Sequence, residues 1–392
     1  MRFSIAIDYP VEKMEASRRR LEARADFEYV DRAPVCFCVV PRYFAPVFGL
    51  RYRDFFRDAE TQYYWQLQFA KYRIENIPED YCTAPVIHVS PYFDNVPDPS
   101  AFGAEIGWLD DGPPRAIPVI RTVEEMDRHP MPEANSGLWG TVIDWWQRMG
   151  ELAKETKVAF RGQEGRVDVL PLETGGLSPH MIAVDLVGED FYWWMLEYPK
   201  ACHTFLSRIT KAIMLAGESL RSIDRSPRGG YGLAEDSAQV MSPQLFREFC
   251  IPYTTALYDK FGAGSRWGRG MHMCGNSAHL HRILVEDARI SSFDIFGYLV
   301  PPRVAAENLG GRMLLWGNIN PMLMLQGTKE EVKAEALEAL KWMAPCGGFM
   351  LGDGANVCPG TPVENLAMLT VAAEEYGLPE RRAAAARGQG CG

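Results

Sequence analysis

The chain has 392 residues, 47% of them apolar and 23% charged, a globular balance that excludes a disordered chain, a coiled coil and a collagen-like fibre. With 41 lysines and arginines against 51 aspartates and glutamates, the formal net charge is −10, the wrong sign for a nucleic-acid backbone binder. No basic, apolar leader and no apolar run of transmembrane length is read. The expectation is a cytoplasmic protein with no nucleic-acid or membrane partner, its nine cysteines reduced and serving as core residues or metal ligands.

In chain order, residues 10–24 (PVEKMEASRRRLEAR) read as an exposed charged helix, with Pro10 suited to a first turn. PVCFCVV, at 34–40, is a β-favouring apolar run and reads as a strand. Residues 57–75 read as helix and 83–130 as mostly loop with short strands; 133–155, containing GLWGTVIDWWQRMG, read as an apolar-aromatic helix. From about residue 165 the segments VDVLPL, YGLAED, GRGMHMCG, ISSFDIFG, RMLLWGNI and GFMLGDG alternate with helical stretches at 188–222, 243–262, 276–286, 301–309, 328–343 and 362–377. Such alternation argues for a parallel sheet with helices outside. The length suits one large barrel, which needs roughly 250 residues. The predicted fold is α/β: a (β/α)8 TIM barrel over 31–380, an N-terminal helical extension over 1–30, and a flexible C-terminal tail over 381–392 that carries Cys391.

Polar residues close the apolar segments: Glu235 and Asp236, His272 and Cys274, Asp294, Asn318, Asp353. In a barrel those strand ends build the active site. Residues i and i+2 of a strand share a face, so His272 and Cys274 present an imidazole and a thiol together, donors that zinc accepts. The same pair also reads as a buried thiol beside a core histidine. A third ligand is sought in Cys358, after GFMLGDG, which otherwise packs before Pro359. His279 and His281 follow in the next helix, with surface or cap roles expected. Glu235 and Asp236 offer a further ligand, a proton donor or a substrate anchor, because Ser242 is the better cap for the helix that follows. Asp94, in PYFDNVPD, is either a catalytic acid or a turn residue. Cys36, Cys38, Cys82, Cys202, Cys250 and Cys346 read as packing, as do Tyr63-Tyr64-Trp65 and Tyr192-Trp193-Trp194. No dinucleotide, P-loop, nucleophile-elbow or H-E-x-x-H motif is present.

MHMCGN, LLWGNINPMLMLQGTKEEV, GFMLGDGANVCPGTPVENLAML and LAEDSAQVMSPQLFREFCIPY resemble the uroporphyrinogen decarboxylase superfamily, which includes zinc-dependent corrinoid methyltransferases. A weaker likeness in FDNVPDPSAFGAEI extends it over about 30–378. The resemblance implies a single (β/α)8 barrel. Its decarboxylases carry an arginine-rich segment for porphyrinogen carboxylates; here PVCFCVVPRYF keeps only Arg42-Tyr43, expected with Asn318 to contact a smaller substrate. Its methyltransferases carry His-x-Cys and a distant Cys, which implies metal ligands at His272, Cys274 and Cys358. The family's third position aligns with Ala355, so three options stay open: Cys358 in a rearranged loop, a carboxylate such as Glu235, or no zinc. The implied activity is methyl transfer between a small substrate, for example in O-demethylation of a methoxylated aromatic, and a corrinoid (cobalamin) on a partner protein. The chain leaves no length for its own corrinoid domain. Catalytic support is expected from Asp236, Glu235 and Asp94. The alternatives are a decarboxylase of a non-porphyrin or porphyrinogen-like acid on the same barrel and a non-catalytic binding protein, for which Ala355 speaks.

Overall fold

A computed structural model describes residues 3–226 and 228–377. Its strands are β1 (Phe3–Ile7), β2 (Val86–Val89), β3 (Glu105–Gly107), β4 (Arg115–Ile117), β5 (Thr156–Phe160), β6 (Gln163–Val169), β7 (Tyr231–Ala234), β8 (Arg269–His272), β9 (Ser292–Asp294), β10 (Leu314–Ile319) and β11 (Phe349–Asp353). The fold is mixed α/β. β7 to β11 form one sheet of order β11-β10-β9-β8-β7 in which every neighbour is parallel. Parallel neighbours need long crossovers, and helices supply them: Pro243–Phe249 and Ile251–Phe261, His281–Glu286, Pro302–Leu309, and Lys329–Met343. The last starts on a capping box between Thr328 and Glu331. Helices cover the sheet, so LLWGNI and FMLGD are nearly continuous buried runs, as parallel strands require.

Isolated parallel bridges lengthen this ladder at both edges, Val35 with Leu351 and Leu177 with Ala234. The strand expected at 34–40 is thus an extended segment with one bridge. Side chains take the place of a strand partner. Val35 N donates to Asp80 Oδ2 (2.9 Å), Phe37 N to Glu79 Oε2 (2.9 Å) and Cys38 N to Asp353 Oδ1 (2.8 Å). Asp80 also accepts from Ser17 Oγ, Arg20 and Arg32 at 3.0, 2.9 and 2.7 Å.

The first thirty residues hold more than the expected helix. The helix runs Val11–Ala25, and β1 before it pairs with β5 in a second, mixed sheet of order β1-β5-β6-β2. Arg24 reaches from that helix to the carbonyls of Leu315 (3.0 Å) and Gly348 (3.1 Å), at the start of β10 and just before β11. The helices expected at 57–75 and 133–155 are Ala59–Asn76, capped by Asp58, and Gly137–Glu155. The stretch 188–222 divides at Pro199 into Asp190–Glu197 and Pro199–Asp224. Pro179–Val187 and Pro321–Gln326 were not foreseen. The segment 381–392 with Cys391 lies outside the described residues. Among the described residues no helix is long and apolar enough to cross a membrane.

Asp98 joins three elements from inside the core. It accepts from Trp139 Nε1 (2.9 Å), Gly175 N (2.7 Å) and Leu177 N (2.9 Å). Burial first, and then the Asp98 carboxylate, push Asp185 from its ordinary 3.8 up to about 7. The folded chain therefore holds that proton more tightly than the unfolded chain, and stability falls as pH rises from 3.8 through about 7. Asp185→Asn is expected to flatten that slope and to raise Tm at pH 8 by roughly 2–6 °C, read from thermal melts across pH 4.5–8. A second prediction concerns the ends of β8 and β9. Gly297 has φ +87°, and a Cβ there would lie 2.0 Å from the Gly275 carbonyl oxygen. Gly297→Ala is expected to cost on the order of 2–4 kcal/mol in denaturant unfolding.

Candidate functional site

The register aligns Ala234, His272 and Asp294 across β7, β8 and β9. Glu235 N continues the ladder to His272 O at 2.9 Å. Two residues beyond the Ala234–His272 pair stand Asp236 and Cys274, and Cys274 N donates to Asp236 Oδ1 at 2.7 Å. Asp236 Oδ2 lies 3.7 Å from His272 Nε2. One ligand atom each of Asp236, His272 and Cys274 falls within 4.8 Å of the other two, and all three residues are half-buried. Ser242, not Asp236, caps the next helix, its side chain accepting from Leu245 N. Burial and the Asp236 carboxylate push the Cys274 thiol up to about 12, an environment that a bound cation would reverse. The set fits zinc. Ligands roughly 2.0–2.3 Å from a tetrahedral ion stand roughly 3.3–3.8 Å apart, and a three-residue set leaves one position open to a substrate atom.

The expected ligand Cys358 is not part of this group. Its Sγ lies 4.0 Å from Met322 Sδ. The loop after β11 is pinned just before it, where buried Val357 donates to Cys38 O (3.1 Å), and just after it, where Thr361 N donates to Cys358 O (3.1 Å). Asp236 stands where the third ligand was sought. Glu235 is also elsewhere: it is buried and faces His180, whose Nδ1 lies 3.0 Å from Glu235 Oε1. Cys38, expected in the core, is half-buried and donates to Asn356 Oδ1 at 3.0 Å. Burial, and after it Asp353, hold its thiol well above the usual range, with smaller contributions from Asp294 and Cys274. His281, expected at the surface, is buried beside Ser277 and Asn308, and its pKa drops to about 4. His279 contacts Met241 O at 3.0 Å.

Asp94 takes a left-handed φ of 49° and accepts from the Tyr52 and Tyr92 hydroxyls, both at 2.8 Å. Burial raises its pKa against the pull of those bonds and of Arg42. Arg42 acts on Asp94 through its charge. Tyr43 is placed differently. It is buried and its hydroxyl donates to Thr361 O (3.2 Å). Asn318 donates to Gly297 O and Val300 O (3.1 and 2.8 Å), while its Oδ1 is buried without a partner among the described residues. On the paired strand Asp353 uses Oδ1 to hold Cys38 N and leaves Oδ2 buried and unpartnered; burial pushes it up to about 7. Asp294 is raised by burial and lowered by Arg24 and by His272, its neighbour level on β8. Sequence reasoning placed Asp353 at a strand end without giving it a role. It had no signal for His180, an isolated histidine in a helix it did not foresee.

The chain is similar to known proteins. The uroporphyrinogen decarboxylase (URO-D) family model matches residues 17–376. A methylated-thiol–coenzyme M methyltransferase of Methanosarcina mazei is 23% identical over 300 residues, covering 74% of this chain and 72% of that protein. The methylcobamide:CoM methyltransferase MtaA of Methanosarcina barkeri is 33% identical over 217 residues, 53% of this chain and 59% of that one. A uroporphyrinogen decarboxylase of Danio rerio is 24% identical over 225 residues, 56% and 57% of the two chains. The solved structure of a methyltransferase from Methanosarcina mazei superposes with a TM-score of 0.66 at 21% identity, over 93% of this chain and 99% of that one, and so shares the fold. The chain belongs to the uroporphyrinogen decarboxylase (URO-D) family.

Proposed function

We propose that this protein is a zinc-dependent methyltransferase that moves a methyl group between a small substrate, such as a methylated thiol or a methoxylated aromatic, and a corrinoid carried by a partner protein. We read β7 to β11, β2 and the bridging segments at 34–40 and 177 as a (β/α)8 barrel over 31–380, with residues 1–30 as an extension whose β1 pairs with β5. The observation that carries the reading is the half-buried group Asp236, His272 and Cys274 beyond paired strand ends. The two relatives named as coenzyme M methyltransferases support it.

Asp236, His272 and Cys274 would hold the zinc ion, which supplies Lewis acidity toward a sulfur or oxygen of the substrate. The chain's own groups do the rest. Asp236 fixes the Cys274 backbone through its other oxygen. Arg42 beside Asp94 attracts an anionic part of the substrate, and Tyr52 and Tyr92 keep Asp94 in place. Asp353, at about 7, can hold or release a proton at neutral pH through its unpartnered Oδ2. The partner would dock on the loops that follow β7, β9 and β10, which leave Val240, Leu299 and Met322 exposed (73%, 54% and 43%). A second reading, decarboxylation of a small acid, is favoured by one feature: a half-buried acid of raised pKa, Asp94, within the electrostatic reach of the Arg42 guanidinium.

Methyl transfer to or from free cobalamin is expected to fall on the order of 100-fold or more in His272→Ala and Cys274→Ser, each with loss of zinc from this site. Cys358→Ser should stay within about threefold of wild type. Full activity in Cys274→Ser would defeat the methyltransferase reading, and carbon dioxide release without corrinoid, abolished by Asp94→Asn, would put the decarboxylase in its place. Val240→Asp and Leu299→Asp are expected to raise KM for the corrinoid protein several-fold while leaving transfer to free cobalamin unchanged, as steady-state kinetics with both acceptors will show.

A further inference from the structure

Glu235 and Asp236 are consecutive, yet their carboxylates leave the end of β7 in opposite directions. Asp236 turns to His272 and Cys274; Glu235 turns inward to His180 and Cys250. One ligand atom each of His180, Glu235 and Cys250 lies within 4.8 Å of the other two, and all three residues are fully buried. They come from separate elements. His180 is in the first turn of Pro179–Val187, Glu235 follows β7, and Cys250 joins helices Pro243–Phe249 and Ile251–Phe261.

A core histidine satisfied by a glutamate is the plain interpretation of this group, and it leaves too much unpaid. The single bond between them runs from His180 Nδ1 to Glu235 Oε1 at 3.0 Å. His180 Nε2 and Glu235 Oε2 are both sealed from water with no hydrogen-bond partner among the described residues. A buried carboxylate with one donor and a buried imidazole with an idle nitrogen each cost free energy. The plain interpretation also gives no reason for a thiol at the same point, with the Met241 thioether 3.9 Å from its sulfur.

We infer that His180, Glu235 and Cys250 form a second metal site, buried away from substrate, that takes a zinc ion. The nitrogen, oxygen and sulfur donors are those zinc accepts, whereas calcium and magnesium take oxygen alone. Binding would release the Cys250 thiol proton to solvent and satisfy the carboxylate. Enclosure means that the ion enters as the chain folds and that no substrate reaches it. Its effect is to fix the end of β7 and with it the direction of Asp236. The inference stands apart from the proposed activity, which rests on the other cluster.

The test is a zinc count by plasma mass spectrometry on the full-length chain, made in zinc-supplemented medium and dialysed against metal-free buffer. Two equivalents are expected in the wild type, one in Cys274→Ser, one in Cys250→Ser and none in the combined variant. One equivalent that disappears in Cys274→Ser and persists in Cys250→Ser overturns the second site and leaves the first. The opposite pattern removes the first and leaves the second, and a wild type without zinc removes both. Should Cys250→Ser fail to fold, the Cys274→Ser chain made in cobalt-supplemented medium is expected to show a thiolate-to-cobalt charge-transfer band; its absence overturns the proposal.

Discussion

The parallel register of β7 through β10 is the constraint on which the site depends. Ala234 is level with His272, His272 with Asp294, and Asp294 with Trp316. A slip by one residue would turn each inward side chain outward. The register is held because buried apolar residues stand level across the strands, Leu233 with Met271, Met271 with Phe293 and Phe293 with Leu315, and a slip would displace all of them. Once it is fixed, residues two positions past the ladder must meet above it. That is how a carboxylate from one strand end comes to accept the backbone N–H of a cysteine on the next.

The N-terminal half closes the edge of this ladder by other means. Residues 34–40 are held by the carboxylates of Glu79 and Asp80, and these in turn by Arg73, Arg20 and Arg32. Arg73 also donates to Phe37 O at 2.7 Å. Removing one partner from such a buried network leaves an uncompensated charge, at a cost of about 3–5 kcal/mol. The arrangement brings Cys38 to Asp353 with its thiol still partly open, which a regular strand partner would not have done.

This contrast decides how much could be read from the sequence. β7 to β11 were legible because each is a short apolar run between helical patterns and ends in a polar residue. The segment 34–40 looked like a strand for the same reason, but its hydrogen-bond partners are acidic side chains forty residues away, which no local pattern reveals. Within the site, His272 and Cys274 followed from period-two alternation alone. Cys358 was misplaced because the direction of a loop cysteine depends on two backbone bonds that flank it, at Val357 and Thr361. Cys38 was assigned to the core because alternation ranks it with Cys36, while the absent strand pairing is what frees it.

The pair Glu235-Asp236 shows what the sequence could state only as a choice. Two adjacent acids were offered as ligand, proton donor or anchor, as though one role would be enough. In the fold each has its own surroundings, and the ion pairs seen for them among the described residues are to histidines, His180 and His272, with no lysine or arginine. A guanidinium network offsets the buried acids at Glu79 and Asp80. Nothing comparable offsets the charge at the end of β7, where one carboxylate is buried and the other half-buried. Hydrogen bonds from imidazole and backbone N–H groups stabilise a buried carboxylate only in part. Burial and these carboxylates hold the Cys250 and Cys274 thiols protonated, so each would serve as a thiolate ligand only beside a cation. Both sides of β7 therefore carry mixed nitrogen, oxygen and sulfur donor sets of the kind a metal ion takes, the observation on which the two proposed zinc sites rest.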